Sequence, residues 1–292
     1  MTSERTNRIV VGLDGSANSL AAARWARNEA LLRGADVEAV TVWDRSRPRH
    51  LPDRPRHMTE REIVDACERM QQQQLADLDG GEVSIVTRVA QGDPVEVLTE
   101  LSQAADILVV GARGRSGVAG LLLGSTSLAC FPHAACPVTV VPAHYPAHRV
   151  HAPIVVGVDG SRASRKALRV AAEEALIRDC HLIAVHAVFV PPPYGTEIYR
   201  PADDHLVEGG RQLEEAIGPV QIDFPAVPIE HKVIAGHPAV ALDEEASVAD
   251  LLVIGSRGHR PLSAAILGSV SLHLLAHAQR PTMVVTDQGA SA

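Results

Sequence analysis

Three glycines and a serine carry the strongest chemical signal in this chain. GARGRSGVAGLLLGSTS, residues 111–127, places Gly111, Gly114 and then Gly124-Ser125 directly after the apolar run ADILVVG. Glycine permits positive φ and close backbone approach to a ligand. A run of exposed N–H groups can cup an anion. Gly124-Ser125 reads as a helix start, whose first N–H groups lack partners and whose dipole favours negative charge. Together these make a phosphate cradle, to which the hydroxyls of Ser125 and Ser127 can add donors. No Lys follows, as a Gly-x4-Gly-Lys-Ser/Thr loop requires. The segment also follows a late strand instead of opening the first helix, unlike the dinucleotide Gly-x-Gly-x-x-Gly pattern. A plain surface loop is the competing reading. Binding is favoured because the Gly-Ser helix start converges with Asp14, at the end of the first apolar run in RIVVGLDGS.

The elements that must position these residues are written twice. GSRGHRPLSAAILGSVS follows ADLLVIG in the second half, so Gly111 and Gly124 return as Gly255 and Gly268 at one constant offset. RIVVGLDGS returns as PIVVGVDGS, QGDPVEVL as AGHPAVAL, and CPVTVVP as RPTMVVT. A period this long is a duplicated domain, not a solenoid unit. The expected domains are 1–142 and 153–292, joined by a polar linker over 143–152. In each half a Val/Ile run (Ile9–Leu13; Ile154–Val158) ends at Asp-Gly-Ser and enters an amphipathic helix, which Gly34 stops in the first copy. A second strand covers Val37–Trp43, and a helix is predicted over Glu60–Leu78, matched by Asp203–Ile217. A third strand spans Val83–Val89, and a third helix starts with Asp93 as cap and Pro94 in its first turn. Ile107–Val110 is the fourth strand, Ser125–His133 a further helix, and Val138–Val141 the fifth strand, with Met283–Val285 as its counterpart.

Such alternation predicts an α/β fold, with a parallel sheet, right-handed crossovers and helices on both faces in each half. Ligands of such sheets bind outside the carboxyl ends of the strands, where strand order reverses. Strand one ends at Asp14 or Asp159, and strand four ends at the glycine segment.

At these residues the chain resembles tandem universal stress protein domains. The likeness covers roughly residues 8–142 and 153–286, and Gly-x2-Gly-x9-Gly-Ser is that family's ATP-binding spacing. The resemblance implies two tandem nucleotide-binding α/β domains, each a five-stranded parallel sheet flanked by helices, in an ATP-binding regulatory or stress-response protein, with Mg²⁺ carried mainly by the phosphates. It places Asp14 beside the nucleoside, where the carboxylate would accept from ribose or adenine; a helix cap is the equal alternative. It gives the backbone of Val42 the adenine edge, Gly111 and Gly114 the ribose and phosphates, and Gly124, Ser125 and Thr126 the phosphate tail. The matching residues of the second half are Asp159, Ala187, Gly255, Gly258, Gly268, Ser269 and Val270. Pro261 and Ala264 stand where the first half has Gly117 and Gly120, and Pro261 removes an N–H. The paired glycines survive, so both halves are expected to bind. The family also implies pairing of the two halves through their fifth strands as an internal pseudo-dimer, and a homodimer beyond that.

Composition narrows the alternatives. A formal charge of −8 and no basic stripe with interleaved aromatics argue against nucleic acid. The Arg cluster at 45–57 is broken by prolines and reads as a solvated loop. Four cysteines without a CxxC pair suit a reducing cytoplasm, and packing is the favoured reading for Cys130 and Cys136, which sit around a helix end. No secretory leader or apolar membrane span is visible. His273 and His277 share a helical spacing that can bind zinc, but the metalloprotease Glu is missing between them. The histidines 144, 148 and 151 lack regular ligand spacing. Neither half has the acidic cluster and strand-five Lys of a phospho-acceptor receiver domain, nor the His-x-Gly-His of a nucleotidyl transferase. No general base can be named, so at most slow ATP hydrolysis is expected. An interaction module with a structural nucleotide is the other alternative.

Overall fold

The computed structural model describes residues 7–44, 58–78, 82–114, 123–145, 152–189, 202–258 and 267–286. The chain forms two compact units, the first mainly residues 1–148 and the second mainly 149–274 with 282–287. The first half runs β1 (Arg8–Gly12), α1 (Ala17–Arg33), β2 (Asp36–Trp43), α2 (Glu60–Leu75), β3 (Ile85–Gln91), α3 (Pro94–Leu101), β4 (Ile107–Gly111), α4 (Ser125–Cys130) and β5 (Val138–Val141). Its strands pair in the order β3-β2-β1-β4-β5, every pairing parallel. The second half repeats this with β6 (Ile154–Gly157), α5 (Arg162–Arg178), β7 (Leu182–Val188), α6 (Ala202–Asp223), β8 (Ile229–Ala235), α7 (Pro238–Glu245), β9 (Leu251–Gly255), α8 (Ser269–Ala276) and β10 (Thr282–Val285). Its order is β8-β7-β6-β9-β10, again all parallel.

Why these segments form strands follows from burial. Ile107, Leu108, Val109 and Val110 are all buried, as are all four residues of β5. Strands covered on both faces read as unbroken Val/Ile/Leu runs. Alternation along each strand shows which helices cover which face. Trp43 of β2 packs on Ile63 and Cys67 of α2. Two residues back, the hydroxyl oxygen of Thr41 accepts from buried Gln71 of α2 at 3.0 Å. Side chains two apart share a face, so Val40 and Val42 point the other way, toward the face on which α3 packs. Alanines let α1 lie close on β1 and β4: Ala22, Ala23, Ala26 and Ala30 are all buried.

The helix ends match their sequence signals closely. Ser16 caps α1 by accepting from the Ser19 N–H, and Gly34 ends it at φ 61°. Asp93 caps α3, with Pro94 in its first turn. Several boundaries differ from expectation. Helix α2 stops at Leu75, and residues 76–78 form a turn. Strand β3 begins at Ile85 and runs on to Gln91. Helix α4 ends at Cys130, before His133. Helix α6 does not stop at Ile217 but continues through Pro219 to Asp223. Burial of Leu213, Ile217 and Val220 along one face holds that helix together past the lost N–H.

All four cysteines are buried and unbridged. Burial raises their thiols: Cys67 is pushed up to about 11, and Cys130 and Cys136 to about 12. No helix among the described residues is long and apolar enough to cross a membrane. The Arg cluster at 45–57, most of the linker, and Gly117, Gly120, Pro261 and Ala264 lie outside the described residues.

Candidate functional site

The crevice is built at the carboxyl end of the sheet, where strand order reverses between β1 and β4. Strand β1 stops at Gly12, and the chain turns off through Leu13 and Asp14. The last contact with β2 is the Leu13 N–H donating to the Val40 carbonyl at 2.8 Å. Strand β2 continues to Trp43, whose carbonyl accepts from Gly92 on the β3 side. Within a strand, backbone groups alternate between neighbours. Thr41 and Trp43 therefore turn to β3, while the N–H and C=O of Val42 turn to the β1 side, past the point where β1 has ended. Ala187 is placed identically in the second half: Val158 donates to Val185, and Gly236 donates to Val188. In both halves the second strand runs on past the end of the first, which leaves a backbone edge open to the crevice.

Asp14 forms the floor of this gap. Its Oδ1 accepts the Ser16 N–H at 3.0 Å, and its own N–H donates to Ser19 Oγ at 3.4 Å. The helix cap itself is Ser16, not Asp14. Gly114 lies against the same carboxylate: a Cβ there would stand 2.6 Å from Asp14 Oδ2. Ser16 Oγ donates to the Arg113 carbonyl at 3.4 Å, tying the two loops together. The second half reproduces each contact. Asp159 Oδ1 accepts from Ser161 at 3.0 Å, Ser161 Oγ donates to Arg257 at 3.3 Å, and a Cβ on Gly258 would stand 2.5 Å from Asp159 Oδ2.

The glycines of the segment have different tasks. A Cβ on Gly111 would lie 2.7 Å from the Asn18 carbonyl carbon, and one on Gly255 would lie 2.9 Å from that of Ala163. Both missing side chains let the first turn of α1 or α5 rest on the sheet, so they shape the crevice from beneath. Gly124 is the residue before α4, extended at φ −69° and ψ 145°, and its N–H donates to Ala112 at 2.8 Å. No side chain caps α4, whereas α1, α2 and α3 each carry a capping side chain. The N–H groups of Ser125 and Thr126 thus open a helix without a side-chain acceptor. Gly268 has the same bond, to Ser256 at 2.9 Å, ahead of Ser269 and Val270. Ser127, expected as a phosphate donor, is buried and donates to the Gly111 carbonyl at 2.8 Å; Ser271 does the same to Gly255.

Sequence reasoning passed over Ser16, Ser19, Ser161 and Ser164 as loop ties. It also missed Gln74, whose Nε2 donates to the Ser16 carbonyl at 3.1 Å. His273 lies on α8, but His277 falls in the turn beyond its end at Ala276, so the pair does not share a helix. Among the described residues no group of three His, Cys, Asp or Glu side chains is arranged to hold a metal ion.

Comparisons with known proteins agree with this architecture. The model of the universal stress protein family matches residues 5–142 and again 152–286. A universal stress protein of Mycobacterium tuberculosis is 32% identical over 306 aligned residues, covering 97% of this chain and 96% of its own. A universal stress protein of Mycolicibacterium smegmatis is also 32% identical, over 95% of this chain. Among solved structures, a universal stress protein from Archaeoglobus fulgidus superposes with a TM-score of 0.69 over 97% of this chain and 99% of its own, at 21% identity. That likeness concerns the fold.

Proposed function

Because this chain belongs to the universal stress protein family, we propose that it is an ATP-binding regulatory protein of the stress response, with one nucleotide in each half. One observation carries the reading: both copies of the repeat build the same crevice, contact for contact. In each copy a strand-end carboxylate, an open backbone edge and an uncrowded helix start converge on one gap. The backbone of Val42 or Ala187 offers a donor and an acceptor side by side, which suits the edge of an adenine ring. Asp14 or Asp159 accepts from ribose hydroxyls, since a carboxylate repels phosphate. Gly114 and Gly258 keep space beside that carboxylate. Ser125 and Thr126, with Ser269 and Val270, turn N–H groups toward the phosphate tail, while Gly124 and Gly268, whose own N–H groups are held by Ala112 and Ser256, bring the backbone up to it. Mg²⁺ enters with the phosphates.

The reading is binding rather than catalysis. The crevice carboxylate accepts the Ser16 or Ser161 N–H through one oxygen, which holds it in place as a positioning group for the ribose. Turnover, where present, is slow. The test is mass analysis of nucleotide released from the purified full chain, followed by ATP titration with Mg²⁺. Two equivalents of ATP with little ADP formed over an hour are expected. No bound nucleotide and no ATP affinity would leave an interaction module, and rapid multiple-turnover release of ADP would make the protein an ATPase.

A further inference from the structure

The two halves are not the same at one edge of the crevice. Phe189 is the first residue past the end of β7 at Val188, two residues beyond Ala187. Phe189 meets His237, the residue before α7, edge to face with ring centroids 6.4 Å apart and planes at 88°. His237 in turn meets His273 at 6.5 Å, tilted by 58°. His273 lies one helical turn along α8 from Ser269, on the same side. The three rings therefore form a row from the end of β7, the place that the nucleotide reading assigns to the base, to the second turn of α8, one turn past the helix start it assigns to phosphates. All three are exposed, Phe189 by 59%. Phe189 is one of only three Phe in a chain with 3% aromatic residues. His237 makes no side-chain cap bond to α7, unlike Asp93 at the matching place on α3. The repeat puts Asp44, Asp93 and Ala129 at these positions in the first half, and none of them carries a ring.

We propose that Phe189 and His237, with His273 behind them, form a stacking edge for the base of a nucleotide held in the second half, a base-recognition element that the first half lacks. An exposed ring that contacts its neighbour by an edge leaves a face open, and every nucleobase presents a π-face to stack on it. The consequence is unequal selectivity. The second half discriminates ligands that carry a base from those that carry only phosphates more strongly than the first does. The inference rests on the nucleotide reading above.

Titration calorimetry of the full chain with ATP, and separately with tripolyphosphate, tests it. Phe189→Ala and His237→Ala each weaken one of two ATP-binding steps by roughly tenfold, as loss of base stacking does, and leave the other step alone. Neither substitution changes tripolyphosphate binding, because that ligand has no base. An equal loss for tripolyphosphate, or unchanged ATP affinity in both variants, would overturn the stacking edge. Gly258→Ala separates this inference from the reading beneath it, since it crowds Asp159 and leaves the rings in place. An ATP step sensitive to Gly258→Ala but not to the ring variants fails the stacking edge alone. A parent chain with no second ATP step fails both.

Discussion

At the residue scale, the same residue type does two jobs a few positions apart. A methyl on Gly111 or Gly255 would press on the backbone of Asn18 or Ala163, which cannot yield without lifting a helix off the sheet. A methyl on Gly114 or Gly258 would meet only the far end of a carboxylate, which can swing aside. Gly111→Ala and Gly255→Ala should therefore lower unfolding free energy by about 1–3 kcal/mol, the usual cost of overpacking, as urea denaturation would measure. Gly114→Ala and Gly258→Ala should leave the urea midpoint almost in place while weakening ATP binding. The glycine spacing was legible in the sequence, and so was its repetition. The division of labour was not, because a missing side chain says nothing of the direction it would have taken. Cysteine shows the same limit more mildly. Packing could be read for Cys130 and Cys136 from their place around a helix end, and the burial of all four cysteines adds a chemical consequence. Raised to about 11 or 12, Cys67, Cys130 and Cys136 hold almost no thiolate at pH 8. A maleimide reagent should label them in the native protein far more slowly than in urea; rapid native labelling at pH 8 would contradict this.

At the element scale, local signals located the elements well and their far ends poorly. Caps at Ser16, Asp93 and Gly34 each act through one hydrogen bond or one backbone angle, so three or four residues suffice to recognise them. Ends without caps depend on what the element buries. Helix α6 illustrates this: Gly218-Pro219 reads as a stop, yet the helix continues because Val220 is buried beyond it. Proline there still costs the bond that residue 219 would donate to the Glu215 carbonyl. Pro219→Ala should raise stability by about 1–2 kcal/mol, the helix penalty less the entropy that proline removes from the unfolded chain. A lower urea midpoint would show that Pro219 shapes a necessary bend. The open backbone edge at Val42 and Ala187 also belongs to this scale. It arises because β1 and β6 stop before β2 and β7 do, a difference in strand length that apolar patterning alone does not resolve.

At the scale of the whole molecule, duplication made the organisation plain: one fold, one crevice, each occurring twice. Where the copies diverge, the repeat itself was the signal, since Asp44 against Phe189 and Asp93 against His237 could be compared directly. What hid their meaning was distance along the chain, because the three rings meet only once β7, α7 and α8 are folded. The assembled sites also have an energetic consequence. Asp14, Val42, Gly114 and Gly124 all belong to the first half, and Asp159, Ala187, Gly258 and Gly268 to the second. The residues assigned to each crevice therefore come from one half alone. Substitutions at separate sites without shared partners add to within about 0.5 kcal/mol. Gly114→Ala should weaken one step of the ATP isotherm and Gly258→Ala the other, and the double variant should weaken both by the sum of the single losses. Calorimetry on the four proteins closes that cycle. A coupling larger than about 1 kcal/mol would mean that the halves sense each other's ligand, and regulation would then lie in the joint occupancy of the two crevices rather than in either one.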